Sequence, residues 1–335
     1  MLLEDWKRKQ KKGGLAVEYQ KKIGRFPSRS SGQIVTYYIY MPAVDRPQGI
    51  LQIAHGMCEY LERYEPFIEF MVEQGWIVCG NDHLGHGRTA ADESGYGYMG
   101  GKDGWRNMVK DMHTLTRRMQ QLHAGLPIFL LAHSMGSFLG RAYLTQYGQE
   151  IAGAIIMGTS SGVGMIPTAA ALFLIRLLMV VKGERYRSPG LQKLVFGSYN
   201  RRITDPATDS DWISSDPKTV QAYTADPMCQ FTFTLSGFRN LLHVLQFVSM
   251  PSWAYQVPKD LPIYLVSGQE DPVGSYGEGP RKVAKRLQNA GVKDLTLTLY
   301  PDYRHEPLNE QDQEKVYQNL LTWLQEHLPE KADVQ

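Results

Sequence analysis

The 335-residue sequence has only three cysteines, Cys58, Cys79 and Cys229, odd in number and far apart. That argues against a disulfide framework and for a reducing compartment. Charge of one sign is also missing. The 36 Lys and Arg stand against 34 Asp and Glu, a formal net charge of +2, so nothing points to nucleic acid as a partner. No apolar run reaches the about 20 residues needed to span a bilayer. The longest, Ala169 to Val181, is interrupted by Arg176. The sequence shows no internal repeat, no low-complexity segment and no signal-peptide pattern. Met1 to Lys12 places Leu2, Leu3 and Trp6 among lysines, and reads as a solvated basic tail or as a short amphipathic helix resting on an anionic membrane surface. What is left is a globular protein, expected in the cytoplasm, whose 43% hydrophobic content suffices for a large core.

What the chain does have is an alternation of strands and helices around Leu131-Ala132-His133-Ser134-Met135-Gly136. The apolar run Leu126 to Leu131 suits a buried parallel strand, and Phe138, Leu139, Tyr143 and Leu144 follow at helical spacing. A serine between them occupies a strand–turn–helix hinge, where its neighbours must be small for strand and helix to approach. Gly136 meets that need, whereas Ala132 stands where the usual pattern has glycine. Further strands are expected at Ile34–Met41, Ile50–Ala54, Trp76–Cys79, Ile151–Met157, Leu261–Gly268 and Leu295–Leu299. Amphipathic helices are expected after Pro66, from Trp105 to Leu122, around Arg281–Asn289 and from Gln311 to Leu328. Such alternation implies a mostly parallel sheet covered on both faces. It breaks at about Gly158 and resumes after Val257. The expected organisation is a core formed by 1–158 and 258–335, with 159–257 inserted as a helical cap carrying one short strand-like run, Phe231–Leu235.

A serine hydroxyl needs a base, and the base needs an orienting group. Functional groups of open parallel sheets collect at the carboxyl ends of the strands. Three histidines follow Ser134: His243, His305 and His327. His243 sits among leucines of the cap and His327 in the last helix, whereas His305 lies in the loop directly after the Leu295–Tyr300 strand and is the expected base. Asp271, after the Leu261–Gly268 strand and held extended by Pro272, is the expected acid, with Glu270 and Asp302 as competitors. A developing oxyanion needs two donors. Met135 supplies the N–H after the nucleophile, and Gly56 leaves the Met57 N–H free to point inward. His55 reads as a brace for that loop, and Cys58 beside it is open to thiol reagents without a catalytic role. Asp82, His83 and His86 have a spacing that a metal site could use, but no further ligand cluster accompanies them, so no metal and no cofactor are expected.

With these residues in place the chain resembles the α/β-hydrolases of the monoacylglycerol lipase and lysophospholipase group, a serine aminopeptidase-type family. The resemblance rests on His55-Gly56-Met57 with Arg63-Tyr64, on Asp82-His83-Leu84-Gly85-His86-Gly87 and on Ala132 to Gly136. Gly268 to Asp271 and Tyr303-Arg304-His305-Glu306 with Leu308-Asn309-Glu310 complete it. It implies Ser134 as nucleophile, His305 as base, Asp271 as acid, and the Met57 and Met135 amides as oxyanion hole. The expected activity is hydrolysis of a single-acyl-chain ester, a monoacylglycerol or lysophospholipid, through an acyl-enzyme. The acyl chain is expected against cap residues Leu172, Phe173 and Leu177, and the cap is expected to touch a membrane surface transiently. The alternatives are a proline-iminopeptidase-like peptidase, anchoring a substrate amine on Asp209, Asp211 or Asp226, and a non-catalytic binder on the same scaffold.

Overall fold

The computed structural model describes residues 3–9, 17–30 and 32–329, with 3–9 and Val17 by backbone alone. Among these, nine strands form a single sheet: β1 (Leu3–Lys9), β2 (Val17–Pro27), β3 (Ile34–Pro42), β4 (Ile50–Ala54), β5 (Ile77–Asn81), β6 (Ile128–His133), β7 (Gly153–Met157), β8 (Ile263–Gly268) and β9 (Leu295–Tyr300), in the spatial order β1-β2-β3-β5-β4-β6-β7-β8-β9. The six strands from β5 to β9 run parallel, and β1, β2 and β3 extend one edge antiparallel.

The parallel strands are buried on both sides, and their residues alternate between two cores. On β4 and β6, Ile50, Ala54, Ile128, Leu130 and Ala132 face one core, while Leu51, Ile53, Phe129 and Leu131 face the other. Helices α2 (Gly104–Leu122) and α3 (Met135–Tyr147) close the first face through Met108, Met112, Leu115 and Leu139, joined by α8 (Glu278–Asn289) through Val283 and Leu287. Helices α1 (Glu65–Glu73) and α9 (Gln313–Glu326) close the second through Phe67, Ile68, Tyr317 and Leu320.

Between β7 and β8 the chain forms α4 (Met165–Lys182), α5 (Pro189–Phe196), α6 (Pro217–Ala225) and α7 (Leu235–Ser249). Three expectations need correction. Phe231–Leu235 is not a strand. It contributes one isolated bridge, Arg187 with Thr234, because no neighbouring strand offers it a ladder. At the N-terminus, Leu3–Lys9 is neither tail nor helix but β1, in register with β2 from Leu3 opposite Ile23 to Lys9 opposite Val17. Local charge conceals a strand that pairs antiparallel with the next one in sequence. Met1, Leu2 and Gln10–Lys12 fall outside the described residues. Finally, the helix α4 extends beyond the expected apolar run Ala169 to Val181 at both ends. At 18 residues and 1.5 Å per residue it extends about 27 Å. It is the one helix among the described residues long and apolar enough to cross a membrane, and only Thr168 and Ile175 on it are buried. Met165, Ile166, Phe173, Leu174, Leu177, Val180 and Val181 are exposed.

Candidate active site

Ser134 stands at the turn between β6 and α3 with φ 52° and ψ −121°, a conformation L-residues rarely adopt. Its N–H donates to the Met157 carbonyl at 3.0 Å, and its own carbonyl accepts from the Ser137 N–H at 2.8 Å, so both sides of the turn are pinned. The close approach explains the small neighbours. A Cβ at Gly136 would lie 2.2 Å from the Ala54 carbonyl oxygen, so only glycine fits. The alanine at 132 is accommodated from across the interface: a Cβ at Gly140 on α3 would lie 2.6 Å from the Ala132 methyl, and glycine leaves that space open.

Three loops at the carboxyl ends of β6, β8 and β9 bring the expected side chains together. Ser134 Oγ is 2.8 Å from His305 Nε2, and His305 Nδ1 is 2.9 Å from Asp271 Oδ1. Asp271 is fully buried and its carboxylate also accepts from the Val273 N–H at 2.8 Å and the Ser267 hydroxyl at 3.3 Å, which aim it. A carboxylate only accepts, so His305 carries its proton on Nδ1 and presents the Nε2 lone pair to the serine. The competitors are elsewhere. Glu270 and Asp302 make no such contact, His243 is on α7, and His327 caps α9 with Asp294 at 3.0 Å.

Met135 is the first residue of α3, where a helix leaves its N–H without an intrahelical acceptor, and Met57 faces the same cavity across the serine. Gly56 is required between them: a Cβ there would meet the Glu59 carboxylate and lie 2.9 Å from the Ser134 Cβ. His55 braces this loop, with Nδ1 donating to the Gly56 carbonyl at 2.8 Å and Nε2 accepting from the His83 N–H at 2.9 Å. Asp82, His83 and His86 do not converge on a common point. The Asp82 carboxylate is occupied by the Leu61 and Arg88 N–H groups and the Tyr38 hydroxyl. Among the described residues no group of three or more His, Cys, Asp or Glu is arranged to hold a metal. His55, His83 and His86 are all fully enclosed, and burial lowers their affinity for a proton, for His86 to about 3.

Above Ser134 opens a cavity of about 670 Å³. Its apolar wall is Val163, Val195, Phe196, Leu241 and Leu245, and Gln192, Asn200 and Thr232 add polar groups. Leu172, Phe173 and Leu177 are not part of that wall. Phe173 and Leu177 are 64% and 50% exposed because the helix turns its buried edge, Ile175, inward and this stripe outward. Of the candidate amine anchors, Asp211 binds the Ala207 and Thr208 N–H groups, and Asp226 binds Tyr60 and Met228, while Asp209 lies at the cavity wall.

Beneath the site lies a polar cluster that sequence reasoning did not assemble. Glu59 accepts from the Gly56 N–H, from the Tyr64 hydroxyl at 3.0 Å and from Arg63 at 3.0 Å, with His133 Nδ1 also at 3.0 Å. Arg63 reaches both oxygens of Glu306 at 2.9 Å. Burial opposes the charge on Glu59, but the bond and charge of His133, together with Arg63, outweigh it and hold the carboxyl below its ordinary range. The signal was present in Arg63, His133 and Glu306, ionisable residues adjoining the motifs. Nothing local said they meet.

A mostly parallel sheet, helices on both faces and a serine at a strained strand-to-helix turn define an α/β-hydrolase, a serine hydrolase-type enzyme. Residues 45–312 match the family described as Serine aminopeptidase, S33, and the chain belongs to that family. It is 29% identical over 306 residues to a monoacylglycerol lipase of Mycolicibacterium smegmatis, covering 89% of this chain and 95% of the relative. A highly thermostable carboxyl esterase from Bacillus coagulans, solved in complex with glycerol, superposes with a TM-score of 0.85 at 32% identity, covering 92% of this chain and 99% of the other. A lipase solved in its open form gives a TM-score of 0.83 at 25% identity, with the same coverage.

Proposed function

We propose that the protein is a serine carboxylic ester hydrolase acting on a lipid with one acyl chain, a monoacylglycerol or a lysophospholipid. The observation that carries this is the unbroken relay from Ser134 through His305 to Asp271, opening into an apolar cavity. Ser134 Oγ attacks the ester carbonyl carbon as its proton moves to His305 Nε2. The oxyanion takes hydrogen bonds from the Met57 and Met135 N–H groups. Asp271 holds the imidazole and stabilises the imidazolium. Collapse of the adduct breaks the ester bond, and His305 hands its proton to the departing alcohol. Water, deprotonated by the same nitrogen, then releases the fatty acid from the acyl-enzyme. The likeness to a monoacylglycerol lipase over nearly its whole length favours a lipid ester.

In this reading 159–257 is a cap over the site, and the exposed stripe of α4 is its membrane-facing surface. The acyl chain lies instead against the inner wall of Val195, Phe196, Leu241 and Leu245. A peptidase reading keeps one supporting observation, Asp209 at the cavity wall in a family described by aminopeptidases.

The test is kcat/KM for monoacylglycerols of increasing chain length, with Ser134→Ala as control. Turnover rising with chain length, and a control reduced at least about 10³-fold, is the expected result. Cleavage of short esters alone would remove the lipid assignment. Cleavage of aminoacyl amides in place of esters would establish the peptidase. Substituting Leu174, Leu177 and Val181 by serine should weaken sedimentation with anionic vesicles and leave turnover of a soluble short-chain ester unchanged.

A further inference from the structure

His133, the residue before the nucleophile, has both ring nitrogens committed. Nε2 lies 3.1 Å from the carbonyl oxygen of His305, which can only accept, so Nε2 carries a hydrogen. Nδ1 lies 3.0 Å from Glu59 Oε1 and 3.0 Å from the Tyr64 hydroxyl, which is itself 3.0 Å from the same carboxylate oxygen. With Nδ1 protonated, imidazole and phenol both donate to the carboxylate and no lone pairs oppose one another. With Nδ1 bare, its lone pair would face a carboxylate oxygen, and the single phenol proton would have to serve both. Charge balance agrees. Glu59 and Glu306 share one arginine, Arg63, in a buried cluster, and a protonated His133 would supply the second positive charge.

We propose that His133 is a standing imidazolium and a positioning residue for the base: its Nε2–H fixes the His305 carbonyl while its Nδ1–H is anchored on Glu59. The proposal rests on the hydrolase reading of Ser134 and His305. The two rings are 4.8 Å apart. Gly158, at φ 57°, keeps the gap clear, since a Cβ there would lie 3.1 Å from both the His133 ring and the His305 carbonyl. The groups around the pair come from four segments. The loop after β4 gives Glu59 and His55, the turn before α1 gives Arg63 and Tyr64, the loop after β9 gives Glu306, and the loop after β8 gives Asp271. Asp271 holds the His305 ring through Nδ1, and His133 holds the backbone of the same residue. Glu59 also binds the Gly56 N–H, so the same pair links the oxyanion loop to the loop bearing the base.

The experiment has two arms on the full chain. In the first, ¹⁵N-histidine NMR from about pH 6 to about pH 9 should show one imidazole protonated on both nitrogens throughout, absent in His133→Gln and turned neutral in Glu59→Gln. A wild-type His133 seen as a neutral tautomer at neutral pH would overturn the proposal. In the second, kcat on a soluble p-nitrophenyl ester should fall at least about tenfold in both variants with KM unchanged, because the base and not the substrate site is displaced. A loss confined to KM, or a kcat within about twofold of the wild type in either variant, would also overturn it. Should His133→Gln fail to fold, the wild-type spectrum and Glu59→Gln still decide. Ser134→Ala separates the two readings: if it keeps full turnover the hydrolase assignment falls, while the spectrum still reports the charge on His133.

Discussion

The contact between Ala132 and Gly140 makes a prediction that runs through the nucleophile turn. Gly140→Ala places a methyl carbon 2.6 Å from the Ala132 methyl, where carbons prefer about 3.5–4 Å, so strand and helix must part by about 1 Å. Overpacking of this kind costs about 1–3 kcal/mol, and alanine returns up to about 1 kcal/mol of helix propensity, for a net loss of about 1–2 kcal/mol. Ala132→Gly alone loses a buried methyl, about 0.8 kcal/mol, and adds a glycine to a strand interior, about 0.5–1 kcal/mol. In the double variant the clash is gone and the helix gain remains, so the two substitutions together should cost less than either alone. The coupling should be about 2 kcal/mol in favour of the pair. Thermal unfolding of the four proteins measures it, and kcat/KM on a short ester should fall in Gly140→Ala and recover in the double variant, since α3 begins directly after Ser134. Costs that simply add, within about 0.5 kcal/mol, would refute the account of why alanine is tolerated at 132.

Other outcomes follow from the same structure. His55, His83 and His86 are buried uncharged, with proton affinity below that of the unfolded chain, where histidine titrates near 6.5. Their stabilisation is complete above about pH 6.5 and is lost as pH falls towards the folded value of about 3 for His86, so Tm should drop progressively below pH 6.5, and less steeply in His86→Gln. All three cysteines are buried and burial raises each thiol, so the native protein should react slowly with a thiol reagent at pH 8 and rapidly once unfolded. This applies to Cys58 as well, although it lies at the cavity. Gly56→Ala should lower kcat/KM at least about tenfold while the protein still folds, because the added carbon meets the Glu59 carboxylate and the Ser134 Cβ.

The parts legible in the sequence were those written locally. Buried strands announced themselves as apolar runs between turn residues, and a serine between a strand and a helix marked the turn. Chain order then narrowed the proposed base to His305. The edge strands β1 and β2 were not legible, because lysines and arginines interrupt the apolar alternation that marks a strand, even though Tyr19 and Phe26 of β2 are buried. The outward stripe of α4 misled for a related reason. Apolar periodicity says that a face exists, and only the fold says whether the core, a cavity or the surface receives it. Glu59 and Arg63 are four residues apart, but Glu306 lies 243 residues beyond Arg63, and no spacing rule connects it to them.

The loop carrying His305 is stitched to part of the segment between β7 and β8. The His305 and Glu306 N–H groups donate to the Trp212 and Ile213 carbonyls, and Arg304 donates to those of Asp211 and Ser214. Residues 211–215 therefore belong mechanically to the loop of the proposed base, whereas α4 and α5 have no such stitching to that loop. A recombinant exchange of the stretch from Met165 to Phe196 with that of another family member should transfer substrate preference while leaving the chemical step intact. An exchange cut beyond Asp211 would unseat the base. The seam between the part free to diversify and the part bound to the chemistry thus runs through the middle of the insertion, not at its ends.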